Sequence, residues 1–327
     1  MIIYLERDIE HLPLTQNILK KIPQADIVRI RHYKNIFDAT VQFPIEESFV
    51  LARLRWDHVS TCPPGYDWYD YSFFFKSSLW CVFDCDYCYL KWAFKNHAMK
   101  IIFVNYEEIQ DSIRKVISSV REKDKTGKII FYASNYSDIQ WLDMITQFNA
   151  SFIPFFEIFP WVICESRTKS ANITSLLPFE APKNYEIAFS LNPESIIQQY
   201  EHKTSSLTER VHAINTLIDR GWKVGLRFLP LLPVHEYESV YRKFLEQLKE
   251  EIDFHKVHSF SVGSLLFTKE DYKVIMKKNP WFDMLYSIHQ KDSTDGFIRF
   301  PLKIRTDFYK LFREFLPKEK TSICLDI

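Results

Sequence analysis

No stretch of eighteen apolar residues occurs in this chain, so no membrane-spanning helix is expected. The first residues, Met1 to Asp8, turn charged at once and lack a signal-peptide pattern. Neither sign of charge is in excess, since 42 basic residues balance 42 acidic ones. A nucleic-acid partner usually asks for surplus Lys and Arg, because phosphate neutralisation drives affinity. The balance therefore counts against a large DNA footprint. Glycine is scarce at six residues, while Phe, Tyr and Trp number 28, 17 and 8. That bias reads as a bulky aromatic core rather than as base-stacking platforms. The six cysteines are clustered instead of spread as a disulfide frame, which suits a reducing cytoplasm. No internal repeat or low-complexity segment is evident. With 327 residues and 46% hydrophobic content, the chain has enough material for one large domain, or for a barrel plus a small domain.

The apolar runs are short and alternate with helical patterns. Ile2 to Leu5, Ala25 to Ile30 and Phe49 to Leu54 read as strands, with a helix from Leu14 to Lys21 entered through Pro13. The Thr61-Cys62-Pro63-Pro64-Gly65-Tyr66-Asp67 stretch is loop chemistry and sets a soft boundary near residue 70. Beyond it, strands are expected at Tyr71–Phe75, Ile101–Val104, Lys128–Ala133, Trp161–Cys164, Glu186–Phe189, Lys223–Leu229 and His258–Leu266. Asn105 is expected to cap a helix whose Ile109, Ile113, Val116, Ile117 and Val120 share one face. Ser206 opens another helix, which Gly221 closes. Pro230 is expected to stop its strand, and Tyr237 to Glu251 is helical. Such alternation argues a parallel α/β sheet or barrel, whose functional groups gather at the C-terminal strand ends.

Half of the cysteines stand in one decapeptide, Cys81-Val82-Phe83-Asp84-Cys85-Asp86-Tyr87-Cys88-Tyr89-Leu90. The spacing is C-x3-C-x2-C. Three thiolates so close suit zinc, copper(I) or an iron–sulfur cluster. Structural zinc wants four ligands, and His97 is available as the fourth. A cubane cluster takes three cysteines and leaves one iron open. Polar residues at the strand ends include Ser134, Asn135, Ser137 and Asp138, then Arg167 and Lys169, then Ser190 and Asn192. Each also has an ordinary reading: Ser137, Asp138 and Asn192 as helix caps, Lys169 as a solvated loop lysine. Arg227 on a strand reads either as an anion-binding group or as a paired core arginine.

The cysteine motif resembles the signature of the radical S-adenosylmethionine (SAM) enzymes. With Tyr87 and Tyr89 beside it, the motif is similar to that of the spore photoproduct lyase family, and the resemblance extends along nearly the whole chain. It rests on Ile3-Tyr4-Leu5-Glu6 with Pro13-Leu14, Ala133-Ser134-x-x-Ser137-Asp138-Ile139, Thr168-Lys169 and Phe189-Ser190-Leu191-Asn192. It continues through Glu201-x-x-Thr204-Ser205-x-Leu207-x-x-Arg210, Gly225 and Pro230 with His235-Glu236, and Phe267-Thr268-Lys269. The resemblance implies an incomplete (β/α)6 radical SAM barrel. An α/β extension would occupy residues 1–70, the barrel 71–266 and a C-terminal extension 267–327.

It further implies that Cys81, Cys85 and Cys88 hold a four-iron four-sulfur cluster, and that Ser137, Lys169, Ser190 and Asn192 line a pocket for S-adenosylmethionine. Tyr87 and Tyr89 would pack beside the adenine or relay hydrogen. A flavodoxin or ferredoxin would supply the electron. Two departures stand out. The family's hydrogen-donating cysteine is replaced here by Asn135, which has no weak S–H bond; Cys164, on the next strand, is a thiol that could substitute. The segment Gln290 to Arg299, where the family has DNA-contacting cations and aromatics, carries two acids and few cations. The implied activity is hydrogen abstraction from a thymine photoproduct in DNA. The alternatives are a repurposed radical SAM enzyme acting on a nucleoside, peptide or small metabolite, and a non-catalytic zinc-binding module.

Overall fold

The computed structural model describes residues 1–37, 48–90, 99–133, 135–278 and 296–324. His97, Ser134 and residues 290–295 lie outside them. Two sheets dominate. The first has five strands: Ile2–Glu6 pairs in parallel with Asp26–Ile30 on one side and Ser48–Ala52 on the other. Lys100–Phe103 adds in parallel to Ser48–Ala52, and Ser78–Leu79 closes the edge antiparallel. Successive side chains go to opposite faces. Ile3, Leu5, Phe49, Leu51 and Ile102 pack with Ile18 of the helix Pro13–Lys21, while Tyr4, Val50, Ala52, Ile101 and Phe103 join the main core. Both faces of the inner strands Ile2–Glu6 and Ser48–Ala52 are covered, which is why they are near-continuous apolar runs, whereas the edge strand Asp26–Ile30 is largely exposed.

The second sheet has eight strands in the order Thr321–Ile323, Ser259–Ser264, Lys223–Leu231, Tyr185–Ser190, Val162–Thr168, Ile129–Tyr132, Tyr71–Phe75 and Val59–Thr61. All neighbours are parallel except the last pair. The two edge strands do not pair with each other among the described residues. Yet Pro63 and Tyr66, just past one edge, and Cys324, just past the other, line a common cleft. The sheet is therefore curled but open. The aromatic surplus is core: Phe75, Phe131, Phe148, Phe152 and Phe156 are fully buried, with the Phe148 and Phe152 rings stacked at 4.3 Å. No helix among the described residues is long and apolar enough to cross a membrane.

Several local expectations hold. Ile109, Ile113, Ile117 and Val120 are the buried face of the helix Tyr106–Lys123. Ser206 and Glu209 form a reciprocal capping box, and Gly221 adopts φ +81° at the end of that helix. Two do not. Asn105 makes no capping bond; its amide donates to the Leu54 carbonyl (2.8 Å) and its oxygen accepts the Leu54 N–H (2.9 Å), tying the helix start to the first sheet. Pro230 does not stop its strand, which runs on to Leu231. The register shifts between Phe228 and Leu231, and an irregularity of that kind accommodates a residue that cannot donate to the ladder.

Candidate functional site

The cysteine loop is fixed by a second segment far along the chain. Asp84–Cys85 pairs antiparallel with Glu201–His202, with Cys85 opposite Glu201. The Asp86 N–H donates to the Tyr200 carbonyl at 3.0 Å, and Asp86 meets the His202 ring at 3.0 Å. The Cys88 N–H donates to the Cys85 carbonyl, closing the turn. Cys85 is buried, and Cys81 and Cys88 are half-buried. Each of the three thiols lies within electrostatic reach of another. Burial pushes the Cys81 thiol up to about 12 and Cys85 well above its ordinary value, although Lys169 opposes the shift at Cys85. Such thiols need a bound cation to become thiolates.

The donor set fits an iron–sulfur cluster. Three sulfurs on one tight loop suit a soft, thiophilic centre. Among the described residues no three donors converge as they would around a single ion. A cubane does not require that, because each cysteine binds a different iron.

Behind the loop lies a buried polar hub. The Glu201 carboxylate accepts from Tyr87 Oη, from Asn192 Nδ2 (2.9 Å) and from Arg210 Nη2 (2.7 Å). Arg210 also donates to the Ser190 carbonyl (2.8 Å), the Ser205 carbonyl (2.9 Å) and Thr204 Oγ1 (2.7 Å). Neither side chain of the ion pair is exposed. Burial alone would raise the Glu201 pKa. The charges of Lys169 and Arg210 and the bonds from Tyr87 and Asn192 outweigh it and hold the pKa below the ordinary carboxylate value.

In front of the hub, at the C-terminal ends of the parallel strands, is a cleft of about 660 Å³. Tyr87, Cys88, Tyr89, Asn135, Lys169 and Ser190 all line it, with Tyr66, Phe74, Tyr132, Tyr136 and Phe297 as aromatic walls. Lys169 Nζ stands 5.5 Å from the Tyr87 ring centroid, and the Tyr89 hydroxyl donates to the Asn135 carbonyl at 3.0 Å. Ser137 and Asn192 are not among the lining residues. The Ser137 hydroxyl pairs with that of Ser78, and Asn192, fully buried, bridges Glu201 and the Tyr241 hydroxyl. Asp138 caps the helix Ile139–Thr146 by accepting the Trp141 N–H, and also accepts from Thr168 Oγ1 and the Lys169 N–H (2.8 Å).

Arg227 is a paired core arginine: it bonds Glu165 at 2.6 Å and Glu186 at 3.0 Å, and Glu165 also holds Arg167 at 2.9 Å. Gly225 makes room for this cluster, since a Cβ there would lie 2.3 Å from Glu186 Oε1. A second hollow, of about 760 Å³ between the helices Tyr237–Glu251 and Leu302–Phe315, is lined by charged residues such as Glu238, Arg242 and Lys310 and by no cysteine.

The family model for spore photoproduct lyase matches residues 70–296. The chain belongs to the spore photoproduct lyase family. Members of that family are radical SAM enzymes that use a four-iron four-sulfur cluster and S-adenosylmethionine. The spore photoproduct lyase of Clostridium acetobutylicum is 25% identical over 275 residues, which is 82% of this chain and 79% of the relative. That of Bacillus subtilis is 29% identical over 203 residues, 61% of this chain and 58% of the relative. A solved spore photoproduct lyase variant with bound AdoMet and dinucleoside spore photoproduct matches with a TM-score of 0.80 at 19% identity, over 98% of this chain and 97% of that one. At such identity the likeness speaks for the fold alone.

The residues quoted for Glu201 to Arg210 carried the family resemblance, but their part in holding the cysteine loop was not read from the sequence. The spacing of an acid and an arginine on either side of a capping box was the available signal.

Proposed function

We propose that this chain is a radical SAM enzyme of the spore photoproduct lyase type, built on an incomplete (β/α)6 barrel, whose substrate is a thymine photoproduct. One observation carries the reading: a single cleft at the strand ends is lined by Cys88 of the cysteine motif, Lys169, Ser190, Tyr89 and Asn135. Cys81, Cys85 and Cys88 hold the cluster. When bound, cluster and S-adenosylmethionine supply a 5′-deoxyadenosyl radical that abstracts hydrogen from the substrate.

The remaining work belongs to the protein. Lys169 pairs with the carboxylate of S-adenosylmethionine through a charge-assisted bond, and the Ser190 hydroxyl serves its polar groups. Asn192 acts from behind the wall by fixing Glu201, which in turn fixes Tyr87 and the strand carrying Cys85. Ser137 locks the cysteine loop's approach through Ser78. The aromatic walls exclude water from the radical chemistry and suit a planar base. A low-potential donor of the flavodoxin or ferredoxin class supplies the electron, in the cytoplasm. A second reading, a repurposed enzyme acting on another nucleoside, peptide or metabolite, is favoured by Asn135, whose amide is no hydrogen-atom donor. The test is anaerobic reconstitution, then incubation with S-adenosylmethionine, reductant and dinucleoside spore photoproduct. Restored thymines support the first reading. Deoxyadenosine without thymine restoration supports the second, and neither product from an iron-loaded protein refutes both.

A further inference from the structure

Three cysteines lie outside the motif, and only one of them opens on the cleft. Cys164 is fully buried and paired with the Tyr185 hydroxyl. Cys62 packs with Phe74, Ile130 and Tyr132 behind the cleft wall. Cys324 lines the cleft itself. It follows the edge strand Thr321–Ile323, and its N–H is bound to the Val262 carbonyl at 3.0 Å. The residue is only 8% exposed. Gly263 lets it seat there: a Cβ at that position would come within 3.1 Å of the Cys324 carbonyl oxygen and 3.4 Å of the Cys324 Cβ.

We propose that Cys324 is the hydrogen-atom donor to the substrate radical in this chain, the part that Asn135 cannot play. The proposal rests on the radical chemistry proposed above. A thiol S–H is weaker than the C–H bond it would form, and an S–H is what the cleft holds, since burial pushes the Cys324 thiol up to about 11 and keeps it protonated at neutral pH. The transfer balances. The S–H bond breaks, a C–H bond forms on the substrate, and a thiyl radical remains on Sγ. One electron from the low-potential donor that serves the cluster, with a proton from solvent, restores the thiol.

The test uses the full chain with Cys324→Ala and Cys324→Ser, reconstituted and run in D2O with S-adenosylmethionine, dithionite and dinucleoside spore photoproduct. The thiol exchanges with solvent, so wild-type thymine product should carry solvent deuterium. Both variants should lose that product, and Asn135→Cys should restore it in the Cys324→Ala background. Unchanged deuterated product from Cys324→Ala overturns the proposal. A readout without turnover is iodoacetamide labelling followed by peptide mass spectrometry: bound photoproduct should slow alkylation of Cys324. Unchanged labelling when calorimetry shows the photoproduct bound also overturns it. If the wild type cleaves S-adenosylmethionine but neither binds nor converts the photoproduct, the substrate assignment fails and the uncoupled reaction decides about the cysteine. Deuterium in the deoxyadenosine methyl group then falls in Cys324→Ala if the thiol faces the radical, and stays unchanged if the proposal is wrong.

Discussion

Arg210→Met is the sharpest test of the buried hub. Arg210 has no exposed side-chain surface and makes four hydrogen bonds, to Glu201, Thr204, Ser190 and Ser205. Removing one partner of a buried ion pair costs about 3–5 kcal/mol, because the other charge is left buried and unpaired. Glu201 keeps the bonds from Tyr87 and Asn192 and the charge of Lys169, so the low end applies, about 3 kcal/mol. For 327 residues, at about 2.1 cal/mol/K of unfolding entropy per residue, that is roughly a 4 °C fall in Tm. Thermal melting of cluster-free protein at pH 7, followed by circular dichroism, reads this directly. Because Glu201 pairs with Cys85 across two short strands, iron retained after anaerobic reconstitution should fall as well. Arg210→Lys should recover only part of both, since an ammonium cannot reproduce the fork that reaches two carbonyls and a carboxylate together. A Tm within about 2 °C of wild type, with full iron content, would refute the idea that this hub holds the cysteine loop.

Other outcomes follow from the same geometry. Cys88→Ala should lose iron and all cleavage of S-adenosylmethionine, while Cys62→Ala, placed behind the cleft wall, should keep its iron; iron assay and deoxyadenosine analysis decide. Lys169→Ala should weaken S-adenosylmethionine binding by about ten- to a hundredfold, the roughly 1.5–3 kcal/mol of a charge-assisted bond, measured by calorimetric titration. The folded pKa of Glu201 is depressed, so its stabilisation is present above the unfolded value of about 4.3 and is lost as pH falls through the lower folded value. Glu201→Gln should therefore melt below wild type at pH 7, and the gap should close in acid. Arg227→Met should destabilise strongly, by about 3–5 kcal/mol in denaturant titration, because it leaves Glu186 in the core without its counter-charge and Glu165 with Arg167 alone.

Much of the fold was legible because its elements obey local rules. Ile129–Tyr132 and Tyr185–Ser190 are buried along their whole length and read as short apolar runs. The helix Tyr106–Lys123 declares itself by one apolar face. The helix Ile139–Thr146 was announced only by its Asp138 cap, and Phe148–Glu157 not at all. The second is apolar nearly all round and holds Pro154, so it offers no periodic contrast. The partner of a strand was equally hidden. Lys100–Phe103 returns to the first sheet beside Ser48–Ala52, across the whole cysteine loop, and nothing in either run specifies that pairing.

The site divides along the same line. Cys81, Cys85 and Cys88 were visible because their grouping is local, and Lys169 and Ser190 because a parallel sheet gathers its strand ends. Arg227 stayed ambiguous until Glu165 and Glu186, on neighbouring strands, were seen to flank it. Cys324 carried no signal at all, since its place depends on the last described strand joining the sheet at the edge away from Val59–Thr61. Curling brings that edge round to the cleft that also receives Asn135 from the end of Ile129–Tyr132. Two positions remote in sequence thus face one chamber. A hydrogen donor can stand at either without altering the strands that carry it, so on the role proposed for Cys324 the Asn at 135 is compatible with retained chemistry, because a thiol outside the cysteine motif lines the same cleft.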